Sequence, residues 1–198
     1  MSIIVKEVNR KSNPVPEGMH RPICTSIVDL GTQFSEKFGK SARKGLITWS
    51  LPDETIEIDG EEVPRLISRQ FTLSLHKKAK LREMLESWHG RAFDQVELEG
   101  FDIVSLLGEN CMLQILHNET ATGVYANVNN VLPLEKKKWI EPSLELIHFS
   151  LDGSDPIPQS VPEWVRRIIE KSEEWPTFSS AHGLEEDLVD SEGEVLRF

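Results

Sequence analysis

The chain has 198 residues, with 22 Lys and Arg against 33 Asp and Glu, a formal net charge of −11 and 38% hydrophobic residues. That is enough for one domain with an extension, and no stretch approaches the roughly 18 apolar residues of a membrane span, so a membrane partner is not expected. The two cysteines, Cys24 and Cys111, form no C-x-x-C, which excludes a zinc ribbon and favours buried free thiols in a reducing compartment.

The charge is unevenly placed. Residues 1–138 carry 18 Lys and Arg against 19 Asp and Glu, a net −1, whereas residues 139–198 carry 4 against 14, a net −10. A near-neutral body joined to an acidic extension can attract that extension, or compete with it for one ligand.

Residues 1–19, with Pro14, Pro16 and Gly18, read as an extended lead-in in which Ile3–Val5 could add an edge strand. This patch of three apolar residues is too short for a signal-peptide core of roughly 7 to 15, so a cytoplasmic location is expected. The first strand is placed at His20–Leu30, where both parities hold apolar residues and neither face stands out as buried.

A long loop is expected over residues 31–45. It holds two phenylalanines and the cations Lys37, Lys40, Arg43 and Lys44. Cations interleaved with aromatics suit a nucleic-acid backbone and its bases, and a solvated hairpin connection explains them equally well. The second strand, Leu46–Leu51, has Trp49 at its middle, open to burial or to base stacking. An acidic turn at 53–62 follows, with Asp59-Gly60 as the turn signal.

From Val63 to Gly90 the hydrophobic period changes. Ile67, Phe71, Leu73 and Leu75 alternate with polar residues and share their parity with Arg69, as in a strand covered on one face. From His76, Leu81, Leu85 and Trp88 fall at i, i+4 and i+7, which predicts an amphipathic helix stopped by Gly90. His76, Lys77, Lys78, Lys80 and Arg82 make a second basic cluster there, read as phosphate contacts or as a solvated helix face.

Short helical turns are expected after Gly90, then strands at Cys111–His117 and Val124–Leu132 joined by NETATG. Tyr125, Asn127 and Asn129 would form a polar outer stripe on the last strand, with Tyr125 available for stacking. Residues 135–175 read as a proline-rich extension with one helix over 162–171, whose stripe would be Trp164, Ile168 and Val165. Residues 176–198 read as an acidic disordered tail.

The fold expected is mainly β with one inserted helix: a five-stranded Greek-key barrel of the oligonucleotide/oligosaccharide-binding (OB) kind over residues 20–134. Its helix lies between strands three and four, and its ligands lie across strands two and three. The carboxyl-terminal stretch, Glu185-Glu186-Asp187, Asp190, Glu192, Glu194 and Phe198, resembles the acidic tails of bacterial and phage single-stranded DNA-binding proteins. Arg197, just before Phe198, departs from their uniform acidity. The body, in VPEGMHRPICTSIVDLG, FTLSLHKKAKLREMLESWHGRAF and TGVYANVNNVLPL, is similar to uncharacterised phage proteins associated with replication or recombination.

The resemblance implies sequence-nonspecific binding of single-stranded DNA. The tail would screen the groove and recruit replication or recombination proteins through Glu185, Glu186, Asp187, Asp190 and Phe198, and assembly into a homo-oligomer is compatible with it. The nucleic-acid contacts expected are Lys37, Lys40, Arg43, Lys44, Trp49, Arg69, Phe71, His76, Lys77, Lys78 and Tyr125. No G-x-S-x-G, Walker A, G-x-G-x-x-G or H-E-x-x-H occurs, so neither enzymatic activity nor a cofactor or metal is expected. The competing reading is a protein-interaction module, such as a nucleic-acid mimic or a phage inhibitor of a host enzyme, acting through its acidic surface.

Overall fold

A computed structural model describes residues 14–184 of the chain. Its elements run β1 (Gly18–His20), β2 (Ile23–Ser35), β3 (Lys40–Ile58), β4 (Glu61–Thr72), α1 (Lys80–His89), α2 (Gln95–Glu99), β5 (Cys111–Thr120), β6 (Gly123–Pro133), β7 (Ile147–Phe149), α3 (Glu163–Ile169) and α4 (Trp175–Ala181). The architecture is mainly β, in two sheets of order β1-β5-β6 and β4-β3-β2-β7.

β2 and β3 are the centre. From Ile23 to Gly31 every residue of β2 is buried, because both faces of the strand are covered. Cys24, Ile27, Ile47, Trp49 and Leu51 belong to a core shared with α1, β5 and β6, while Val28, Leu30 and Leu46 belong to a second cluster with Phe149, Val165, Ile169 and Phe178. A strand buried on both sides reads as a continuous apolar run, not an alternating one, which is why the sequence pattern shows no preferred face. Cys24 and Cys111 are unpaired and buried, and burial pushes the Cys24 thiol up to about 12.

α1 buries Leu81, Met84, Leu85 and Trp88, and Gly90 ends it in the left-handed conformation (φ 68°), its N–H donating to Glu86 O and Ser87 O. Trp88 packs on Trp49 with ring centroids 6.0 Å apart and donates Nε1–H to Asn110 O at 3.3 Å. Each such side chain contributes roughly 1.5 to 3 kcal/mol on full burial. No helix of the described residues is long and apolar enough to cross a membrane.

Four expectations are corrected. First, the two sheets do not close into a barrel: one seam holds the single bridge Ile23↔Asn110, and the other is spanned by Arg69 Nη1, which donates to Val128 O at 2.8 Å. Secondly, residues 31–45 are not a long loop. β2 runs to Ser35 and β3 starts at Lys40, so all but a short turn is hairpin ladder, Ser35 pairing with Lys40. The acidic segment at 53–62 is likewise mostly ladder, turning only at Asp59-Gly60.

Thirdly, of the stripe expected on the carboxyl-terminal helix Val165 is buried at 1% exposure and Ile168 packs partly on the same cluster, but Trp164 is 52% exposed and Ile169, at 0%, takes its place. Finally, residues 176–181 are not tail. They continue α4, whose Phe178 is buried against Phe149, and His182 closes the helix by hydrogen bonds to Phe178 O and Ser154 O. β7 runs parallel to β2, with Ser26 opposite Ile147 and Val28 opposite Phe149, so part of the proline-rich extension is built into the sheet.

Candidate functional site

The hairpin ladder places Lys44 opposite Thr72, at the end of β4 that leads into α1. Lys44 Nζ donates to Thr72 Oγ1 at 2.6 Å. The connection then folds over itself: His76 N–H donates to Ser74 Oγ, and Lys78 N–H donates to His76 Nδ1. Ala79, the residue before α1, provides no side-chain cap, so the open N–H groups of the first turn and the positive end of the helix dipole face this corner. Together these elements enclose an open groove of about 640 Å³ whose walls include Lys44, Arg69, Gln70, Thr72, His76 and Lys78.

Charge pairing sorts the cations. Arg21, Arg43, Lys80, Arg82, Arg91, Lys137, Lys138 and Arg167 stand in ion pairs, whereas Lys37, Lys40, Lys44, Arg69, Lys77 and Lys78 have no carboxylate at ion-pair distance among the described residues. The second set is carried by the β2–β3 hairpin, β4 and the β4–α1 connection; Lys136, Arg166 and Lys171, on the carboxyl-terminal extension, also stand in no ion pair among the described residues. Lys40 and Lys44 share a parity on β3, so they form one row along the hairpin leading into the groove. Arg69 lies across the buried ring of Phe71, its guanidinium carbon 4.9 Å from the ring centroid, and partial burial lowers its pKa from the ordinary arginine value.

Of the residues expected from the sequence, Lys44, Arg69, His76 and Lys78 meet in this groove, and Phe71 lies in its floor at 4% exposure. Lys37 and Lys40 sit on the projecting hairpin, and Lys77 lies on the β4–α1 connection. Three residues are elsewhere. Arg43 is held by Asp29 and Asp152, which keep its guanidinium above its ordinary value and neutralise it. Trp49 is fully buried, with no ring face for a base. Tyr125 is 49% exposed but lines a second groove with Ile56 and Val63, its hydroxyl 3.0 Å from Thr122 Oγ1. Glu185, Glu186, Asp187, Asp190 and Phe198 lie outside the described residues.

Two aromatics outside the expected set stand on the hairpin: Phe34 is 63% and Phe38 69% exposed, with Lys37 Nζ 5.5 Å from the Phe38 ring centroid. Their signal in the sequence is the interleaving of F and K over residues 34–40, which periodicity alone cannot tell from core. The arrangement as a whole is an open cationic trough with hydroxyl, amide and backbone donors and nearby exposed rings. It fits a polyanion carrying flat apolar groups. A comparison of the chain with protein-family models finds no match, and a comparison with curated proteins finds none either.

Proposed function

We propose that the protein binds single-stranded nucleic acid without sequence preference. The backbone would follow the row from Lys37 and Lys40 through Lys44 to Arg69 and Lys78, with Phe34 and Phe38 as stacking surfaces. The observation that carries this reading is the grouping, on the hairpin, β4 and the β4–α1 connection, of six cations without ion pairs among the described residues, three of them lining one groove, while most other cations stand in ion pairs. The uncapped start of α1 adds a phosphate-friendly terminus. Supporting it further is the order of the longer elements, three strands, a helix and two strands, which is that of an OB-type body with its sheets parted.

In this reading the acidic residues after Leu184 compete with the ligand for the trough and recruit replication or recombination partners, as the resemblance implies. The logarithm of the affinity for a labelled dT20 then falls linearly with log salt, the slope shrinking by roughly one for each phosphate contact removed. Lys44→Glu with Lys78→Glu lowers affinity at least tenfold, and truncation after Leu184 raises it. Truncation at residue 176 is a poor test, because it removes the buried Phe178. Unaltered affinity in the double variant, measured by anisotropy at low salt, removes the reading.

A further inference from the structure

The second groove, about 620 Å³, opens at the other end of the β3–β4 ribbon and has no part in the function proposed above. A register shift between Leu51 and Thr55 changes the parity of β3. Ile56 consequently pairs with Val63 and Ile58 with Glu61, and these residues share the β4 face that carries Ile67 into the core. The core lining thus runs out along an arm where Ile56 and Ile58 are 41% and 52% exposed. Across from it, Val124 and Ala126 continue the β6 face of the buried Val128, and Val15 forms part of the floor.

Two further observations bear on what covers this surface. β4 and β6 are each the last strand of their sheet, so both flanks of the groove are strand edges. The rim is acidic at Glu61, which shares the face of Ile58, and at Glu119, which shares that of Val124; Glu57 and Glu62 pair in the ladder on the opposite face of the arm, with Asp59 at its tip. None of these five stands in an ion pair among the described residues. The cation of the groove, Arg65, donates to Pro14 O at 3.0 Å.

We infer that this groove docks an extended apolar segment of another protein, flanked by Lys or Arg, as an added strand. Open edges supply main-chain hydrogen bonds, the apolar floor takes alternate side chains, and the carboxylate rim selects the flanking charges. Nucleic acid is repelled by the same rim. A second copy of this chain would bring its own acidic arm against these carboxylates.

Tyr125 is the single tyrosine of the chain and lines this groove, so 3-fluorotyrosine labelling of the full chain yields one ¹⁹F resonance that reports on it. Titration with a synthetic Lys-Lys-Val-Ile-Val-Lys-Lys peptide moves that resonance to saturation. A Glu-flanked peptide of the same core binds at least tenfold more weakly, Ile58→Asp weakens the Lys-flanked peptide at least tenfold, and Glu61→Lys weakens it less. Because Ile58 is half exposed, its variant retains the fold, and its dT20 affinity stays at the wild-type value. The inference is overturned by an unmoved resonance, or by equal response to both peptides. Two further results also overturn it: a shift that depends on protein concentration without peptide, meaning a second copy covers the groove, and a response that emerges only after removal of residues 1–13, meaning the chain itself covers it.

Discussion

On one face of β2 and β3, Ile27, Ile47, Trp49 and Leu51 meet α1, β5 and β6 through side chains that are almost all apolar; on the other, a smaller cluster of Val28, Leu30 and Leu46 with β7, α3 and α4 is stitched at its margin by polar groups. Asp29 is the main stitch. Its carboxylate accepts from Gly31 N–H, from Leu151 N–H and from the Arg43 guanidinium, which also reaches Asp152. Further along, Glu174 accepts from the backbone and hydroxyl of Thr32 at 2.7 and 2.6 Å, Gln33 donates to Ile168 O, and Ser41 donates to Glu173. The difference teaches that one sheet can carry two cores of unlike chemistry, the first held by apolar burial, the second also by hydrogen bonds and ion pairs to carboxylates.

The comparison breaks most completely at the first core. Leu113→Ala, at a residue with no exposure, costs about 2 to 5 kcal/mol through lost burial and a residual cavity, and urea denaturation records the loss of both faces in one transition. A cost under 1 kcal/mol would show that the two sheets are not packed as described.

Asp29→Ala leaves two backbone N–H groups without their acceptor and Arg43 with Asp152 alone, at a cost of about 3 kcal/mol. The effect falls mainly on the second core, read as faster amide exchange in α3 and α4 with α1 little changed. Equal loosening of both would erase the distinction.

Gly31→Ala is a steric probe of the same seam. Gly31 has φ +70°, and a Cβ there would lie 2.4 Å from Ser172 Cβ, so the variant costs about 1 to 3 kcal/mol, seen as a lower melting temperature.

The smallest effects are the most diagnostic. Burial opposes ionisation of Glu174, but its hydrogen bonds from Thr32 prevail and hold the carboxyl below its ordinary 4.5. Its contribution is therefore fully present above pH 4.5 and lost as pH falls through the lower folded value. Hydrogen bonds to Phe178 O and Ser154 O raise His182 above its ordinary 6.5, so its contribution is fully present below pH 6.5 and fades as pH rises through the folded value. Exchange protection in α4 is accordingly greatest between these limits. Glu174→Gln costs about 1 kcal/mol near neutrality and removes the acid limb; an acid limb that persists would show that another group holds the extension.

Much of this fold is legible in the sequence. The switch from period two to the i, i+4, i+7 spacing of Leu81, Leu85 and Trp88 marks β4 and α1, Gly90 marks the stop, and the run at Cys111 and the run ending near Leu132 mark β5 and β6. Of the candidate groove, the cations were readable as a class. Which of them stay available was not, because Arg43 looks like Lys44 until Asp29, 14 positions away, and Asp152, 109 positions away, are brought beside it.

By itself the sequence determines local choices: where the chain turns, which period each stretch follows, and how the charge divides between body and extension, since these depend on neighbouring residues. The tertiary structure alone decides that the two sheets stay parted, that β7 and α4 join the body, that Trp49 is core, and that the register shift before Thr55 turns Ile56 and Ile58 toward a groove. Those outcomes depend on contacts between residues distant along the chain, which no local pattern encodes.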